Sequence, residues 1–504
     1  MGGANLSVRP IPTWPLFFVG VGDVRILLMG ATGYIGGRLA PRLAEAGHEV
    51  RCLTRRPERL DGVPWANSVE IARGDALDPA SLGSAMMGIE VVYYLVHSIG
   101  TGADFELSDR IAARNTAAAA EAAGVGRIVY LGGLVPSGEL ASPHLASRAE
   151  VGQIFLESSV PAVVLQAGVI IGSGSASFEM LRYLTERLPV MVTPKWVRSL
   201  VQPIAVGDVL AYLTGVLGLP ADTNRRFDIA GPDVVSYREM MQRYARVAGL
   251  KHRIIIPVPV LSPWLSSQWV NVVTPVPKAI AQPLIESLRN NAIAHEHDIE
   301  ALLPRELYSF DEAVRLALER IGRAEVETRW SGAEWPGAPS DPMPTDPEWA
   351  GGTAYRDERS LAVDAPIDAL WNAVEGIGGA RGWYSFPLAW AVRGMMDRLV
   401  GGVGLRRGRR DPDRLLVGDA VDFWRVEVVD RPKLLRLRAE MKLPGVAWLE
   451  FSIDVDEFGR PVLHQRALFI PHGLAGHAYW WAVSPFHNIV FGSMISNLAK
   501  AAND

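Results

Sequence analysis

Two side chains in the stretch SPHLASRAEVG, residues 142–152, have the chemistry and the spacing to act together. The imidazole of His144 can donate or accept a proton near neutral pH. The guanidinium of Arg148 stays charged, and it can hold a ribose or stabilise a developing oxyanion. Residues four apart share one face of a helix, so the pair is predicted to serve one site. The alternatives are a helix cap or a place lining the cofactor groove for His144, and a surface position or an ion pair for Arg148. His97 is a second candidate for proton transfer.

A glycine motif, GATGYIG at residues 30–36, follows a short apolar run and opens a helix-like segment. In that context, glycines typically form a dinucleotide-binding turn. Gly30 permits the tight turn, Gly33 lets the backbone approach a pyrophosphate, and Gly36 allows close helix packing. The helix N-terminus then offers N–H donors and partial positive charge to the phosphates. The cofactor-binding residues predicted here are Gly30, Thr32, Gly33, Tyr34, Ile35 and Gly36.

The end of the second strand-like run selects between NAD and NADP. An NAD site usually carries an acidic residue there, which binds the 2′-hydroxyl of the ribose. This chain has Thr54, Arg55 and Arg56 instead, and the first carboxylate follows at Glu58. Two guanidiniums suit a 2′-phosphate, so NADPH is the predicted cofactor. The alternative is a pair of solvated surface arginines.

Strand-like and helix-like runs alternate regularly from Val24 onward. The first run, VRILLMG, is almost continuously apolar, as in a strand buried on both faces of a parallel sheet. Repeated alternation predicts an α/β fold, a doubly wound parallel Rossmann sheet with helices on both faces. After Gly172 the pattern changes to helices mixed with short strands, which predicts a small substrate subdomain. This domain is predicted to span residues 24–325, after an N-terminal tail at residues 1–23.

A resemblance to a known family is carried by three segments: GATGYIGGRLAPRLAEAGHEVRCLTRRPERL, GDALD after the third run and YLVHS after the fourth. They resemble the atypical short-chain dehydrogenases and, among these, the NmrA-like NAD(P)-binding branch. The resemblance implies five further cofactor contacts, two at the adenine and three near the nicotinamide: Asp75 and Ala76, then Val96, His97 and Ser98. Asp208 also matches a family position, and its residue type predicts a helix N-cap.

The usual acid pair of that family is missing. Its enzymes place a Tyr, and a Lys four residues later, on the helix that this chain opens near Ser142. Here His144 and Arg148 have that spacing, and no lysine precedes residue 195. Hydride transfer needs only a bound nicotinamide and an electrophile, so the missing pair does not exclude a reductase. The predicted function is an NADPH-dependent oxidoreductase that reduces a hydrophobic small molecule; the alternative is a non-catalytic NADP(H)-binding redox sensor or ligand-binding protein.

The last third of the chain has a different character. A stretch rich in Pro, Gly and Asp predicts a linker at residues 326–354. Residues 355–504 alternate apolar and polar side chains with a period of two, which predicts antiparallel strands before a final helix. This order resembles the α+β helix-grip fold of START-like proteins, which often hold an apolar ligand. Five aromatic residues are candidates for lining such a cavity, with plain core as the alternative: Trp424, Trp448, Phe451, Phe469 and Trp480.

The composition of the 504-residue chain excludes several classes of partner. A net charge of −5 gives no basic footprint for nucleic acid. No apolar run approaches the roughly 20 residues of a membrane-spanning helix. The single cysteine, Cys52, fits a reducing cytoplasm. The segment from His295 to His297 has no further ligands at a metal-binding spacing, so no metal site is predicted.

Overall fold

The structure of the protein, a computed structural model, describes most of the chain. The described residues are 23–61, 63–96, 105–136, 142–258, 284–287, 290–327, 354–385, 409, 411, 414–441, 443–456 and 458–503. Nearly all of the predicted tail and linker fall outside these ranges, as do His97 and Ser98.

The N-terminal domain alternates strands and helices along most of its length. Its strands are β1 (Arg25–Met29), β2 (Glu49–Thr54), β3 (Glu70–Arg73), β4 (Val91–Tyr94), β5 (Arg127–Gly133), β6 (Ala162–Ala167), β7 (Ile170–Ile171), β8 (Val190–Pro194), β9 (Leu200–Val201), β10 (Ile204–Ala205), β11 (Arg225–Ile229), β12 (Val235–Ser236) and β13 (Ile254–Val258). Its helices are α1 (Tyr34–Glu45), α2 (Pro79–Ala85), α3 (Phe105–Ala123), α4 (Pro143–Leu156), α5 (Ala176–Arg187), α6 (Val206–Gly215), α7 (Tyr237–Val247), α8 (Asp298–Leu302) and α9 (Phe310–Glu327).

Seven parallel strands form the central sheet, in the order β3-β2-β1-β4-β5-β6-β11. The apolar run of β1 is buried, with Leu28 in the hydrophobic cluster on one face of the sheet and Leu27 in the cluster on the other. The predicted parallel Rossmann sheet is therefore confirmed. Its strand order reverses between β1 and β4, which places a crevice at the carboxyl ends of these two strands.

The part of the domain that follows β6 contributes a smaller unit with a core of its own. Three two-stranded sheets, β7-β10, β9-β12 and β8-β13, lie among its helices. The core joins Phe178 of α5, Tyr244 of α7, Ile255 of β13 and Val314 of α9. These residues are far apart in sequence, so this core is complete only once α9 has packed against the earlier elements.

The C-terminal domain is built on an antiparallel sheet, as its period of two predicts. Its strands are β14 (Tyr355–Ala362), β15 (Ala420–Val421), β16 (Trp424–Asp430), β17 (Leu434–Ala439), β18 (Gly445–Val455) and β19 (Pro461–Pro471), in the order β14-β19-β18-β17-β16-β15, with helices α10 (Ile367–Glu375) and α11 (Gly473–Ala501). Met494 and Leu498 of α11 share a core with Leu435 and Phe451 of the sheet. The START-like helix-grip assignment stays a prediction. No helix among the described residues combines the length and the apolar character needed to span a bilayer.

The two domains touch where α11 begins. The ring nitrogen Nε2 of His472 lies 2.7 Å from the carbonyl oxygen of Ala248, just after α7. Further along, His477 is buried, and its Nδ1 lies 2.8 Å from the hydroxyl oxygen of Tyr355. Burial, together with the positive charge of Arg187 on α5, lowers the pKa of His477 to about 4. The imidazole is therefore neutral at neutral pH, which suits a buried position close to the positive charge of Arg187 in the other domain.

Candidate functional site

The glycine motif forms a tight turn between β1 and α1. The amide N–H of Gly33 donates to the carbonyl oxygen of Gly30 over 2.9 Å. Gly30 has a φ of +97°, and a Cβ there would lie 2.7 Å from the carbonyl oxygen of Leu95. At Gly36 a Cβ would lie 2.1 Å from the carbonyl oxygen of Gly30. Gly33 provides no side-chain cap, and the N-terminus of α1 lies at the crevice, where a helix dipole favours an anionic group.

Arg55 and Arg56 follow β2, whose carboxyl end lies beside that of β1. Both arginines are exposed. The hydroxyl oxygen of the buried Thr54 accepts a hydrogen bond from the amide N–H of Arg56 over 3.2 Å, which holds the backbone at the strand end. The two guanidiniums thus lie one strand away from the glycine turn, on the side where this fold binds the adenosine ribose.

Asp75 and Ala76 follow β3, the next strand along the same edge. The carboxylate oxygen Oδ1 of Asp75 accepts from the amide N–H of Leu77 over 3.0 Å. The side-chain amide of Asn115, on α3, donates to the carbonyl oxygen of Ala76 over 3.2 Å. The loop is therefore held both by its own carboxylate and by a neighbouring helix, and it lies beside the end of β2, which Arg55 follows.

Arg148 joins the carboxyl ends of β4 and β5. Its Nη1 donates to the carbonyl oxygen of Val96 over 3.2 Å, and its Nη2 donates to the carbonyl oxygen of Leu131. Its guanidinium carbon lies 4.9 Å from the ring centre of Tyr130. In the described part of the chain these partners are carbonyls and a ring, not the carboxylate of the alternative ion pair. A guanidinium has five N–H donors, so this arrangement leaves donors for a ligand at the strand ends.

His144 lies in the first turn of α4, one turn before Arg148. Ser142 is the N-cap of this helix, because its Oγ accepts from the amide N–H of Leu145 over 3.3 Å. The helix-cap alternative for His144 is therefore wrong. The same Oγ lies 2.8 Å from Oγ of Ser287, which brings the subdomain against the start of α4. His144 is half-buried at this junction.

Two buried polar contacts near the site are not evident from the sequence. Arg38 of α1 is only 2% exposed, and it donates to the carbonyl oxygens of Tyr34 over 3.0 Å and Ser173 over 3.3 Å. Asp109 of α3 accepts from the hydroxyl of Ser147, on α4, over 3.2 Å. These contacts fasten α1 to the subdomain and α3 to α4. The available signal in each case is a charged residue on the buried face of a helix.

Asp208 is fully buried in the first turn of α6, and the N-cap of that helix is Ala205. The predicted N-cap role of Asp208 is therefore wrong. Its Oδ1 accepts from Nη2 of Arg305 over 2.7 Å, and its Oδ2 accepts from the amide N–H of Tyr308 over 3.0 Å. Burial raises the pKa of Asp208 to about 6, although Arg305 opposes the shift. The carboxyl group fastens the segment before α9 onto α6.

The segment from His295 to His297 lies against the edge strand β11. The amide N–H of His295 donates to Oδ2 of Asp228 over 2.8 Å, and Nδ1 of His297 lies 2.8 Å from Oε1 of Glu300. In the described ranges, no three His, Cys, Asp or Glu side chains gather into a group that could hold a metal ion. His295 thus contacts the central sheet, whereas His297 contacts its own segment through Glu300.

The five aromatic candidates of the C-terminal domain do not share one cavity. Trp424 and Phe451 are buried in the core that includes α11. Trp448 lies on the opposite face of the sheet, in a separate small cluster. Phe469 and Trp480 stack with ring centres 6.0 Å apart. The plain-core alternative therefore accounts for Trp424 and Phe451, and Trp448 cannot line a cavity beside α11.

Two known families match this chain, in separate parts. The family described as "NAD(P)H-binding" matches residues 30–159. The family described as "Protein of unknown function (DUF2867)" matches residues 349–494. The boundary between the two matches agrees with the change from a parallel to an antiparallel sheet.

Individual proteins resemble the N-terminal part. The (4-alkanoyl-5-oxo-2,5-dihydrofuran-3-yl)methyl phosphate reductase of Streptomyces griseus is 32% identical over 232 residues, which are 44% of this chain and 74% of the relative. The ceramide reductase of Caulobacter vibrioides is 31% identical over 243 residues, 46% of this chain and 72% of the relative. The triphenylmethane reductase of Citrobacter sp., solved with NADP(H), aligns with 58% of this chain and 99% of its own at 21% identity and a TM-score of 0.47.

Proposed function

The chain belongs to the NAD(P)H-binding family of short-chain dehydrogenases and reductases, and on that premise we propose that it is an NADPH-dependent oxidoreductase of hydrophobic carbonyl compounds. The observation that carries the proposal is Arg148, held by the carbonyl oxygens of Val96 and Leu131 at the ends of two central strands. The alkanoyl and ceramide substrates named for the two relatives support a substrate with an alkyl chain.

The residues of the crevice fit a dinucleotide. Backbone atoms occupy the positions that a Cβ would take at Gly30 and Gly36, so only glycine fits this tight turn at the start of α1. The main-chain N–H groups of α1 would hold the phosphates, Arg55 and Arg56 the 2′-phosphate, and Asp75 the adenine. When bound, the nicotinamide supplies the hydride.

His144 and Arg148 would supply what the missing Tyr and Lys provide elsewhere. A carbonyl that accepts a hydride becomes an alkoxide, which must gain a proton to leave as an alcohol. The imidazole of His144 lies at the start of α4, and Arg148 lies one turn further along. In this proposal, Arg148 binds the ribose and stabilises the negative oxygen. The imidazolium form of His144 gives its proton to that oxygen and is left as neutral imidazole, which regains a proton from solvent.

The double variant Arg55→Ser/Arg56→Ser tests the preference for NADPH. We expect its dissociation constant for NADPH to rise about 30-fold, because the 2′-phosphate loses charge-assisted hydrogen bonds of about 2 kcal/mol together. The constant for NADH is expected to stay within about threefold. Fluorescence titration of the full chain with each nucleotide measures both. Arg59→Ser, at another exposed arginine three residues on, is the matched control; equal losses for NADPH and NADH would contradict the 2′-phosphate contact.

The variant His144→Gln tests the proton donor. Single-turnover oxidation of bound NADPH, with a panel of long-chain ketones, enones and quinones, is expected to slow about 100-fold on ketones, because proton delivery contributes about that much. Affinity for NADPH is expected to stay within about threefold.

The exposed His252→Gln is the control for this variant, since it changes a histidine away from the crevice. An unchanged rate in His144→Gln would remove His144 from the mechanism. Tight NADPH binding without oxidation by any compound of the panel, in the wild type, would favour the non-catalytic redox sensor.

A further inference from the structure

The last helix, α11, has almost no charged side chains. Between Gly473 and Ala499 it contains no Asp, Glu, Lys or Arg, and the first charged residue is Lys500. Its C-terminal half lies in the core of its domain through Met494 and Leu498. Its N-terminal half therefore presents an uncharged face wherever it is not covered.

One face of that half is apolar and exposed. Leu474 is 47% exposed, Trp481 is 64% exposed and Phe486 is 63% exposed. Four smaller exposed residues complete a stripe with helical spacing: Ala475, Ala478, Ala482 and Pro485. We call these seven residues the apolar stripe. Large apolar side chains that recur along one exposed helix face mark an interaction surface.

In these same turns of α11, the opposite face of the helix is packed against the sheet of its own domain. The ring of Trp480 stacks on that of Tyr355 with centres 4.9 Å apart and planes 9° from parallel. Tyr355 in turn bonds to the buried His477. The apolar stripe is thus displayed by a helix fixed to the sheet, and exposing it does not depend on a loop.

A second exposed apolar group adjoins the start of α11. In the two-stranded sheet β8-β13, Ile254 pairs with Val190 and Ile256 with Val192, and all four are 46 to 55% exposed. The first residue of α11, Gly473, lies against the carbonyl oxygen of Glu186 and the side chain of Leu250, which precede these strands. Both domains therefore contribute exposed apolar side chains on adjoining elements.

We propose that the apolar stripe docks the protein onto the surface of a lipid bilayer with zwitterionic headgroups. Trp481 and Phe486 suit the boundary between headgroups and acyl chains, where aromatic side chains are favoured. The absence of charge on this stretch of α11 fits such a surface, and the net charge of −5 opposes an anionic one. Docking would place the substrate subdomain beside the membrane.

Vesicle binding tests this proposal with the full chain. Co-sedimentation with phosphatidylcholine vesicles is expected to give a partition coefficient that falls at least tenfold in Trp481→Ser/Phe486→Ser. Tenfold corresponds to about 1.4 kcal/mol. Phe458→Ser is the matched control, because Phe458 is 74% exposed but lies in the turn between β18 and β19. Circular dichroism and NADPH titration verify that each variant is folded.

The dependence of vesicle binding on salt and on lipid charge tests the proposal further. Binding is expected to change less than twofold between about 50 and 500 mM salt, because no ion pair contributes. Binding that requires anionic lipid, or that Trp481→Ser/Phe486→Ser leaves unchanged, would overturn the proposal. So would a stable dimer in solution, dispersed by the same double variant, that does not bind vesicles, because the stripe would then be an interface between two copies of the chain.

Discussion

The variant Gly36→Ala is expected to lower the affinity for NADPH by about 100-fold or more. The new Cβ would lie 2.1 Å from the carbonyl oxygen of Gly30 and 2.7 Å from its carbonyl carbon. Both are backbone atoms, so the turn itself must move. A loss of about 2.7 kcal/mol, which corresponds to 100-fold, requires only that the phosphates lose contact with the N-terminus of α1. Fluorescence titration of the full chain with NADPH measures the effect.

A second glycine provides the control for that experiment. Gly83, in α2, has no atom within 4 Å of the position that a Cβ would take. Gly83→Ala is therefore expected to leave NADPH binding unchanged and to stabilise the helix slightly. If Gly36→Ala bound NADPH within about threefold of the wild type, the glycine turn would not be the phosphate site.

The variant Asp208→Ala is expected to destabilise the N-terminal domain by about 3–5 kcal/mol at neutral pH. Its removal deletes the carboxylate to which Nη2 of Arg305 and the amide N–H of Tyr308 donate. Urea unfolding measures the change, and the transition that NADPH shifts identifies the N-terminal domain. Asp61→Ala, at an exposed aspartate, is expected to change stability by less than about 0.5 kcal/mol. A similar result for both variants would contradict the role of the buried contact.

The raised pKa of Asp208 gives this contact an unusual dependence on pH. An unfolded aspartate has a pKa near 3.9, and burial raises the pKa of Asp208 to about 6 in the fold. Between these values the folded protein binds the extra proton, so this group's contribution to stability falls as pH rises through the window. Asp208→Asn keeps an acceptor oxygen without a charge. Its stability relative to the wild type is therefore expected to increase between pH 4 and pH 7.

The sequence predicts most reliably what short segments determine. The apolar run of β1 and the spacing of Gly30, Gly33 and Gly36 specify a buried strand and a turn within about twelve residues, and both are found. The i to i+4 spacing likewise places His144 and Arg148 one turn apart on α4. Local sequence suffices because local backbone geometry is what these motifs encode.

Contacts between distant segments lie beyond such reasoning. Arg38 reads as an ordinary residue of an amphipathic helix, because its partner Ser173 lies 135 residues away. Asp208 has the residue type of a helix cap, but in the fold it is buried and binds Arg305, which lies far along the chain. The face on which Trp448 lies follows from the strand register, which the alternating pattern alone leaves ambiguous.

The segment between His295 and Tyr308 has a consequence for synthesis of the protein. Asp228 on the edge strand β11 accepts a hydrogen bond from His295, about 67 residues later in the chain. Asp208 on α6 accepts one from Tyr308, about 100 residues later. On the ribosome, the central sheet can pair its strands well before that segment emerges. Until it does, the edge of the sheet stays uncovered and two carboxylates lack their native partners. This stretch therefore covers an edge of the sheet late in synthesis, and until then the uncovered edge strand can pair with another chain.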